Sequence, residues 1–226
     1  MLKVYIGYDP REKDAYQVAA KSLLKRTTIP VCVTSLDASR LTECGMLNRP
    51  IDRRGNVIWD INSNAPCATE FSNSRFLTPH LAQFGWALFV DCDVVFLADI
   101  AELMALADPQ YAVMVVKHQM GNVSGLKMDG QPQVAYSRKN WSSMVLWNCD
   151  HLANRRITIQ DVSARPGRDL HSFYWLNDSE IGELPMEWNW LVGVQDRPEN
   201  PKMAHYTLGI PTMVHSPHAD IWESEQ

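Results

Sequence analysis

The chain has 226 residues, of which 46% are hydrophobic and 21% charged, with 11 Gly and 13 Pro. This composition is typical of a folded globular protein and excludes intrinsic disorder, collagen and low-complexity arrays. Lys and Arg number 21 against 26 Asp and Glu, a formal charge of −5. No basic run is interleaved with aromatic residues, so we do not expect nucleic acid as a partner.

The hydrophobic residues form no segment long enough to span a membrane. The longest apolar runs, at 86–90 and 111–116, are far shorter than the roughly 20 residues of a membrane helix. The acidic residue Asp9 comes before the first residues could form the apolar segment that a secretory signal requires. We therefore expect a cytosolic protein without a membrane span. The five cysteines include no Cys-x-x-Cys pair, so neither a disulfide framework nor a zinc knuckle is expected.

The first predicted elements form a β-α-β unit. Residues 2–8 predict a strand, which ends at Gly-Tyr-Asp-Pro. A helical spacing then relates Glu12, Ala15, Val18, Ala19, Ser22 and Leu23, and basic residues are collected at the carboxyl end of this predicted helix. A second strand is predicted at 31–36. This opening is typical of parallel sheets, whose functional sites lie at the carboxyl ends of the strands.

The middle of the chain leads to an acidic motif. Residues 37–66 are rich in Asn, Arg, Asp and Pro, and we predict an irregular insertion with one strand-like stretch at 57–61. Residues 69–84 are predicted to be helical, with an interruption at Pro79. Residues 86–90 predict the most apolar strand of the protein, and it runs directly into Asp-Cys-Asp.

The rest of the chain completes one predicted α/β domain over residues 1–226. Its pattern predicts, in order, a helix at 100–107, a strand at 111–117, a mobile loop at 119–140, a strand at 144–147, helices near Asp150 and Asp178, and a final segment at 203–207.

The Asp91-Cys92-Asp93 motif is the strongest chemical signal in the sequence. Side chains at i and i+2 point to the same side of an extended chain, so both carboxylates can face one cation. Hard oxygen ligands suit Mg²⁺ or Mn²⁺. About one Asp-x-Asp is expected by chance in such a chain, so the motif is informative mainly through its position after a buried strand. A solvated strand end or a helix cap is the structural alternative.

Three functions use such a motif. The first is glycosyl transfer from a nucleotide sugar, in which a metal ion binds the diphosphate and neutralises the charge that develops as the sugar leaves. The second is a phosphohydrolase of the haloacid-dehalogenase type, which would use Asp91 and Asp93 through an aspartyl phosphate. In that class the motif normally follows the first strand, whereas here a complete β-α-β unit precedes it. The third is a nucleotide-sugar binder without catalysis.

Six segments, in the same order along the chain, resemble those of the GT-A glycosyltransferases, most closely family 8. They are Val-Tyr-Ile-Gly-Tyr-Asp at 4–9, Thr-Glu-Phe-Ser-Asn-Ser-Arg-Phe-Leu at 69–77, Ala-Leu-Phe-Val-Asp-Cys-Asp-Val-Val at 87–95, Ser-Ser-Met-Val-Leu-Trp-Asn at 142–148, Asn-Asp-Ser-Glu-Ile at 177–181 with Leu-Pro and Trp-Asn after it, and His-Tyr-Thr-x-Gly at 205–209. The resemblance implies a single-domain, Rossmann-like α/β/α sandwich with a central mixed sheet. It also implies a metal-dependent hexosyltransferase that uses a UDP-sugar, transfers the sugar to an acceptor hydroxyl and retains the anomeric configuration.

The resemblance also implies a metal site. Asp93 and His205 correspond to direct ligands, and Asp91 would share the ion or hold a ribose hydroxyl. Imidazole nitrogen suits Mn²⁺ better than Mg²⁺, so we expect Mn²⁺, with Mg²⁺ as the alternative.

On the nucleotide side, the resemblance implies contacts from Tyr8, Asp9, Arg11, Arg75 and Cys92 together with the two flanking aspartates. Tyr8 would stack on the base and Asp9 would accept a hydrogen bond from a uracil N–H. Arg75 would offer its planar fork to donor oxygens. The structural alternatives are a core position for Tyr8, a helix cap for Asp9, a solvated helix start for Arg11 and a surface ion pair for Arg75.

Asp178 and Glu180 are the predicted catalytic carboxylates, and Trp188 and Asn189 are the predicted acceptor wall. Flat aromatic faces suit sugar C–H groups and an amide can bind hydroxyls. Core packing is the alternative for the tryptophan.

The sequence departs from the family pattern after the carboxyl-terminal His-x-x-Gly. The family has Lys-Pro-Trp there, and this chain has Ile210-Pro211-Thr212. The lysine that would hold the diphosphate is therefore missing, and Lys202 is the candidate to replace it. The sequence specifies neither the donor sugar nor the acceptor.

Overall fold

The computed structural model describes residues 1–55, 57–119, 138 and 140–226. In these residues the strands are β1 (Leu2–Tyr8), β2 (Val31–Asp37), β3 (Ile51–Arg54), β4 (Val57–Asp60), β5 (Ala65–Cys67), β6 (Trp86–Val90), β7 (Val94–Phe96), β8 (Val113–Val115), β9 (Met144–Asn148), β10 (Ile181–Glu183), β11 (Trp190–Leu191) and β12 (Met203–His205). The α-helices are α1 (Lys13–Arg26), α2 (Ala38–Glu43), α3 (Thr78–Ala82), α4 (Ile100–Met104), α5 (Ile159–Ala164), α6 (Gly167–His171) and α7 (Ala219–Glu223).

The main sheet has six strands in the order β10-β8-β9-β6-β1-β2. Strand β9 is antiparallel to both of its neighbours, and the other pairs are parallel. Five carboxyl strand ends therefore lie at one edge, together with the amino end of β9. This arrangement confirms the expected α/β fold with a central mixed sheet.

The core forms around β6 and α1. The side chains of residues 87–90 are fully buried, as expected for a central strand that is covered on both faces. Helix α1 buries Ala15, Ala19 and Leu23, which lie on one face at i, i+4 and i+8, and this face contacts β1 and β7. Its last residue, Arg26, forms an ion pair with buried Glu225 at 2.5 Å, so the segment after α7 is attached to α1.

A small second sheet, in the order β11-β12-β7, stands beside the main sheet. Strand β7 begins only three residues after β6 leaves the main sheet. The Asp91-Cys92-Asp93 segment is thus the connection between the two sheets. Strand β12 pairs antiparallel with β7, and His205 lies opposite Val94 in this register.

The segment 37–66, which we expected to be irregular, contains helix α2 and most of a three-stranded antiparallel sheet in the order β3-β4-β5. Asp37 caps α2 by accepting a hydrogen bond from the Ser39 N–H at 2.9 Å. A buried ion pair between Arg49 and Asp60, at 2.5 Å, stabilises the sheet. The polar sequence concealed these strands because β3 is exposed along its whole length.

The segment 69–84 is not one helix. It forms turns, a 3₁₀ turn at Ser74–Leu77 and the short helix α3, in which Pro79 occupies the first turn. Proline lacks the N–H of a helix interior and is tolerated at a helix start, which accounts for the break.

Two further expectations concern loops and membranes. The predicted mobile loop at 119–140 lies outside the described residues, apart from Gln119, Arg138 and Asn140. The predicted helix near Asp178 is a 3₁₀ turn at Asp178–Glu180. Among the described helices, none is both long enough and apolar enough to cross a bilayer.

Candidate functional site

Asp91, Asp93 and His205 meet at the carboxyl edge of the main sheet. The Asp91 N–H donates to the Ser143 carbonyl at 2.9 Å, and the Tyr206 N–H donates to the Asp93 carbonyl at 2.8 Å. These two bonds fix the motif against both sheets. One ligand atom from each of the three side chains lies within 4.8 Å of the others.

The three side chains shift one another's pKa values. His205 Nε2 lies 3.1 Å from Asp93 Oδ1. Burial alone would favour the uncharged forms, but the two charges stabilise each other, so the pKa of Asp93 is lowered and that of His205 is raised. Burial, with a smaller contribution from the neighbouring Asp93, raises the pKa of Asp91 to about 6 against the opposing effect of Arg75.

This cluster fits a divalent cation. Two carboxylates and one imidazole nitrogen form a ligand set suited to Mn²⁺ or Mg²⁺, with positions left open for ligand oxygens. Asp91 Oδ1 is buried and lies 2.8 Å from Arg75 Nη1, which keeps negative charge at this position. A cation bound between the two aspartates would offset the repulsion of their like charges.

Arg75 is the buried positive charge beside the cluster. Its Nη1 lies 2.8 Å from Asp91 Oδ1 and donates to the Ser142 carbonyl at 2.9 Å, while Nε donates to the Ser72 carbonyl at 2.9 Å. The guanidinium also lies 4.9 Å from the centre of the Phe89 ring. The side chain is therefore held against the motif, not on the surface as the structural alternative had it.

Asp9 caps a turn. Its Oδ1 accepts from the Arg11 backbone N–H and Nε at 3.0 Å, and its Oδ2 accepts from Arg11 Nη2 at 2.6 Å and from the Glu70 N–H at 3.1 Å. Burial opposes its charge, but these donors hold the pKa of Asp9 below its usual range. All the acceptor positions are thus occupied, and a base N–H would have to displace one of these donors.

Two other predicted nucleotide contacts differ in their surroundings. The Tyr8 ring is half-buried and packs edge-on against Tyr16 at 5.6 Å. The Cys92 side chain is fully buried and its thiol donates to Glu12 Oε2 at 3.2 Å, so the predicted contact of Cys92 with a nucleotide would have to come from its backbone. In an extended motif the middle side chain points away from its two neighbours.

Glu12 is a carboxylate that sequence reasoning missed. Burial, together with the negative charge of Asp93, raises its pKa to about 7. An acidic residue near a helix start is ordinarily explained by the helix dipole, so the sequence offered no separate signal for it.

The predicted catalytic carboxylates are not part of this cluster. Asp178 is largely exposed and pairs with Arg138 at 2.5 Å. Glu180 pairs with Arg156 at 2.8 Å and accepts from the Asn177 N–H at 2.8 Å in a capping box. Each carboxylate thus forms an ion pair with an arginine. The local sequence could not reveal these pairs because both arginines are distant in the chain.

The predicted acceptor wall is also corrected. Trp188 and Asn189 are 2% and 0% exposed, because the 3₁₀ turn Met186–Asn189 packs against β12. Neither side chain offers a face to an acceptor. The Asn189 amide is instead adjacent to the cluster, where His205 Nδ1 lies 2.9 Å from its Oδ1.

Lys202 does not replace the missing lysine. Its Nζ lies 2.5 Å from Glu102 on α4. It precedes Met203, which pairs with Phe96 at the opposite end of β7 from the motif. The ammonium group is thus directed away from the cluster.

Comparisons with known proteins give both a sequence relative and structural neighbours. No protein-family model matches the chain. The Arabidopsis thaliana protein named Protein CDI is 44% identical over 232 residues, a match that covers 99% of this chain and 85% of the relative.

The structural neighbours have low sequence identity. The chain matches the bifunctional WbbM glycosyltransferase with a TM-score of 0.59 at 15% identity, and GlyE of Streptococcus pneumoniae with 0.61 at 12%. The galactosyltransferase LgtC, in complex with donor and acceptor sugar analogues, matches with 0.56 at 11% over 99% of this chain and 94% of that one. This chain spans 51% of the WbbM chain and 59% of the GlyE chain. At these identities the likeness establishes the fold alone.

Proposed function

This chain belongs to the family of Arabidopsis thaliana Protein CDI and has the GT-A fold, and we propose that it is a metal-dependent glycosyltransferase. Its donor would be a UDP-sugar and its acceptor a hydroxyl group. The observation that carries this proposal is the meeting of Asp91, Asp93 and His205 within 4.8 Å at the carboxyl edge of the sheet. The structural neighbours, which are glycosyltransferases by name, support the same reaction class.

The residues have separable roles in this reaction. Asp91, Asp93 and His205 would hold a divalent cation, Mn²⁺ by preference, which when bound neutralises charge on the departing diphosphate. Arg75 orients Asp91 and opposes the protonation of its carboxylate, because its guanidinium lies 2.8 Å from Oδ1. The same guanidinium adds fixed positive charge near the leaving group.

We propose the retaining course for the transfer. An inverting enzyme needs a free carboxylate to deprotonate the acceptor. The two predicted candidates, Asp178 and Glu180, are held by arginines. Attack from the side of the leaving group does not need such a base.

Thermal unfolding with UDP and Mn²⁺ tests the proposal. UDP should raise the melting temperature with Mn²⁺ present and should have no effect in EDTA, because a ligand stabilises only the state that it binds. Asp93→Asn should abolish this stabilisation. Asp14→Asn, an identical change at an exposed site on α1, should keep it. Stabilisation by UDP that persists in EDTA, or in Asp93→Asn, would contradict the metal site.

Turnover then separates the three candidate functions. Mn²⁺-dependent release of UDP from a UDP-sugar supports the transferase. Binding of UDP without release from any nucleotide sugar would indicate a non-catalytic binder. Phosphate release from a phosphomonoester, abolished by Asp91→Asn, would indicate the phosphohydrolase. The cytosolic location expected from the sequence stays a prediction.

A further inference from the structure

We propose that Asn189 is a positioning residue that fixes the tautomer and orientation of the His205 imidazole, so that Nε2 faces the two aspartates. The inference rests on the proposed metal-dependent function. It concerns a residue that lies behind the cluster and touches neither the cation position nor a substrate.

A chain of hydrogen bonds sets the direction of each donor. The Ser143 hydroxyl donates to the Asn140 carbonyl at 2.8 Å, and a carbonyl can only accept. The hydroxyl oxygen therefore has its lone pairs available, and it accepts from Asn189 Nδ2 at 2.9 Å. This assigns the amide nitrogen of Asn189 toward Ser143 and its oxygen toward His205.

The amide oxygen then determines the state of the ring. Asn189 Oδ1 lies 2.9 Å from His205 Nδ1, and an oxygen acceptor requires a proton on that nitrogen. In the neutral imidazole the lone pair is consequently on Nε2, the nitrogen that lies 3.1 Å from Asp93 Oδ1. A histidine ligand held through its other nitrogen in this way is oriented before the metal arrives.

Burial makes these hydrogen bonds decisive for the tautomer and orientation of the His205 ring. Asn189 is fully buried, and Ser143 and His205 are nearly so. Bulk water is thereby kept from replacing the amide as a partner for Nδ1. A side chain without an acceptor at position 189 would leave the Nδ1–H unsatisfied, at a cost that the ring avoids by rotating or by changing tautomer.

Mn²⁺ affinity, measured by titration of the 226-residue chain, tests the inference. Asn189→Leu should weaken binding by about 10- to 100-fold, the usual effect of losing such a partner. Asn189→Asp should stay within a few-fold of wild type, because a carboxylate oxygen accepts from Nδ1 and the Ser143 hydroxyl can turn to donate. This rescue is the outcome that a merely structural role would not produce.

A matched control separates positioning from general damage to the core. Asn154 is a buried asparagine whose amide donates to the carbonyls of Ala112 and Asn148, outside the cluster. Asn154→Leu should lower the melting temperature without changing Mn²⁺ affinity. Equal affinities in Asn189→Leu and wild type, or equal losses in the two leucine variants, would overturn the inference.

A second measurement uses the wild-type protein and does not depend on a variant that folds. Long-range ¹H–¹⁵N correlations of His205, with diamagnetic Zn²⁺ bound, should show the proton on Nδ1. A proton on Nε2 would overturn the inference while leaving the metal site intact. A wild-type protein that binds no divalent cation would instead overturn the proposed function.

Discussion

His118 is a buried histidine that lies close enough to the cluster to sense the charge of His205. Gln195 Nε2 lies 3.1 Å from its Nδ1, and its Nε2 has no partner among the described residues. Burial, with a smaller contribution from His205, lowers the pKa of His118 to about 4, against 6.5 for an exposed histidine. The ring is therefore neutral in the folded protein at physiological pH.

This shift predicts a loss of stability on the acid side. Between pH 6.5 and 4 the unfolded chain binds a proton at His118 and the folded chain does not, so the free energy of unfolding falls as the pH falls. The full effect is on the order of 3 kcal/mol. This loss of unfolding free energy is absent above pH 6.5.

Urea unfolding at several pH values should show a shallower decline of the unfolding free energy toward acid pH for His118→Gln than for wild type. His215→Gln, an exposed control, should follow wild type; parallel curves for all three proteins would contradict the prediction.

At the residue scale the sequence located the cluster but not the partners of its members. Asp91 and Asp93 could be singled out because they follow an apolar strand. His205 could be singled out because of the family resemblance. A cap at Asp9 was one of the alternatives that the sequence indicated, but the pairing of Arg75 with Asp91 and the inward orientation of Asn189 depend on side-chain packing, which leaves no periodic signal in the sequence.

At the scale of elements, β1 depends on a glycine. A Cβ on Gly7 would clash with the ring of Phe71, which is itself buried. That ring lies 5.5 Å from the Arg75 guanidinium. The close approach of β1 to the turn before α3 thus helps to place a residue of the site.

Gly7→Ala should therefore destabilise the protein by about 1–3 kcal/mol, the usual cost of overpacking a core. The ring can be removed in a double-mutant cycle. In a Phe71→Ala background the same glycine substitution should cost close to nothing, because the obstructing atoms are gone. Urea unfolding followed by circular dichroism measures all four proteins. An undiminished cost in the Phe71→Ala background would show that the ring is not the obstacle.

The elements differ in how far their sequences define them. Strands β1 and β6 have apolar residues that predict strands directly. Strands β3 to β5 carry charged and polar residues, and the buried ion pair between Arg49 and Asp60 beside them is not evident from the sequence. The turns before α3 depend on a proline whose effect on a helical pattern is local and easily underestimated.

At the scale of the whole molecule, an aromatic cluster supports the sheet below the site. The rings of Trp147 on β9 and Trp175 stack at 6.1 Å with parallel planes, and Phe76 and Phe173 pack edge-on or tilted against them. These residues come from three separate parts of the chain. The cluster therefore joins the strand, the turn that carries Arg75 and the segment after α6.

Trp175→Ala should lower the free energy of unfolding by about 3–5 kcal/mol, since it leaves a large cavity among buried rings. Phe84→Ala, at an exposed ring, should change it by about 0.5 kcal/mol or less. Urea denaturation followed by far-ultraviolet circular dichroism measures both, because tryptophan fluorescence would change with the substitution itself. Equal losses of unfolding free energy in the two variants would contradict the assigned role of the aromatic cluster.

The overall class of the fold was predictable, and the strand order was not. The β-α-β opening requires parallel neighbours at the start of the chain. The antiparallel insertion of β9 between β6 and β8 depends on packing between segments that are more than thirty residues apart along the sequence. The small sheet was hidden because its strands are only two or three residues long.

The three-residue connection between β6 and β7 has a mechanical consequence. One aspartate is anchored to the main sheet through Ser143 and the other to the small sheet through Tyr206, whose neighbour is the histidine. An ion bound by the two aspartates and the histidine would link the main sheet to the small sheet, whose strands are short. Binding of such an ion should slow amide hydrogen exchange in β7 and β12 more than in β1, because the ion would hold the two sheets together.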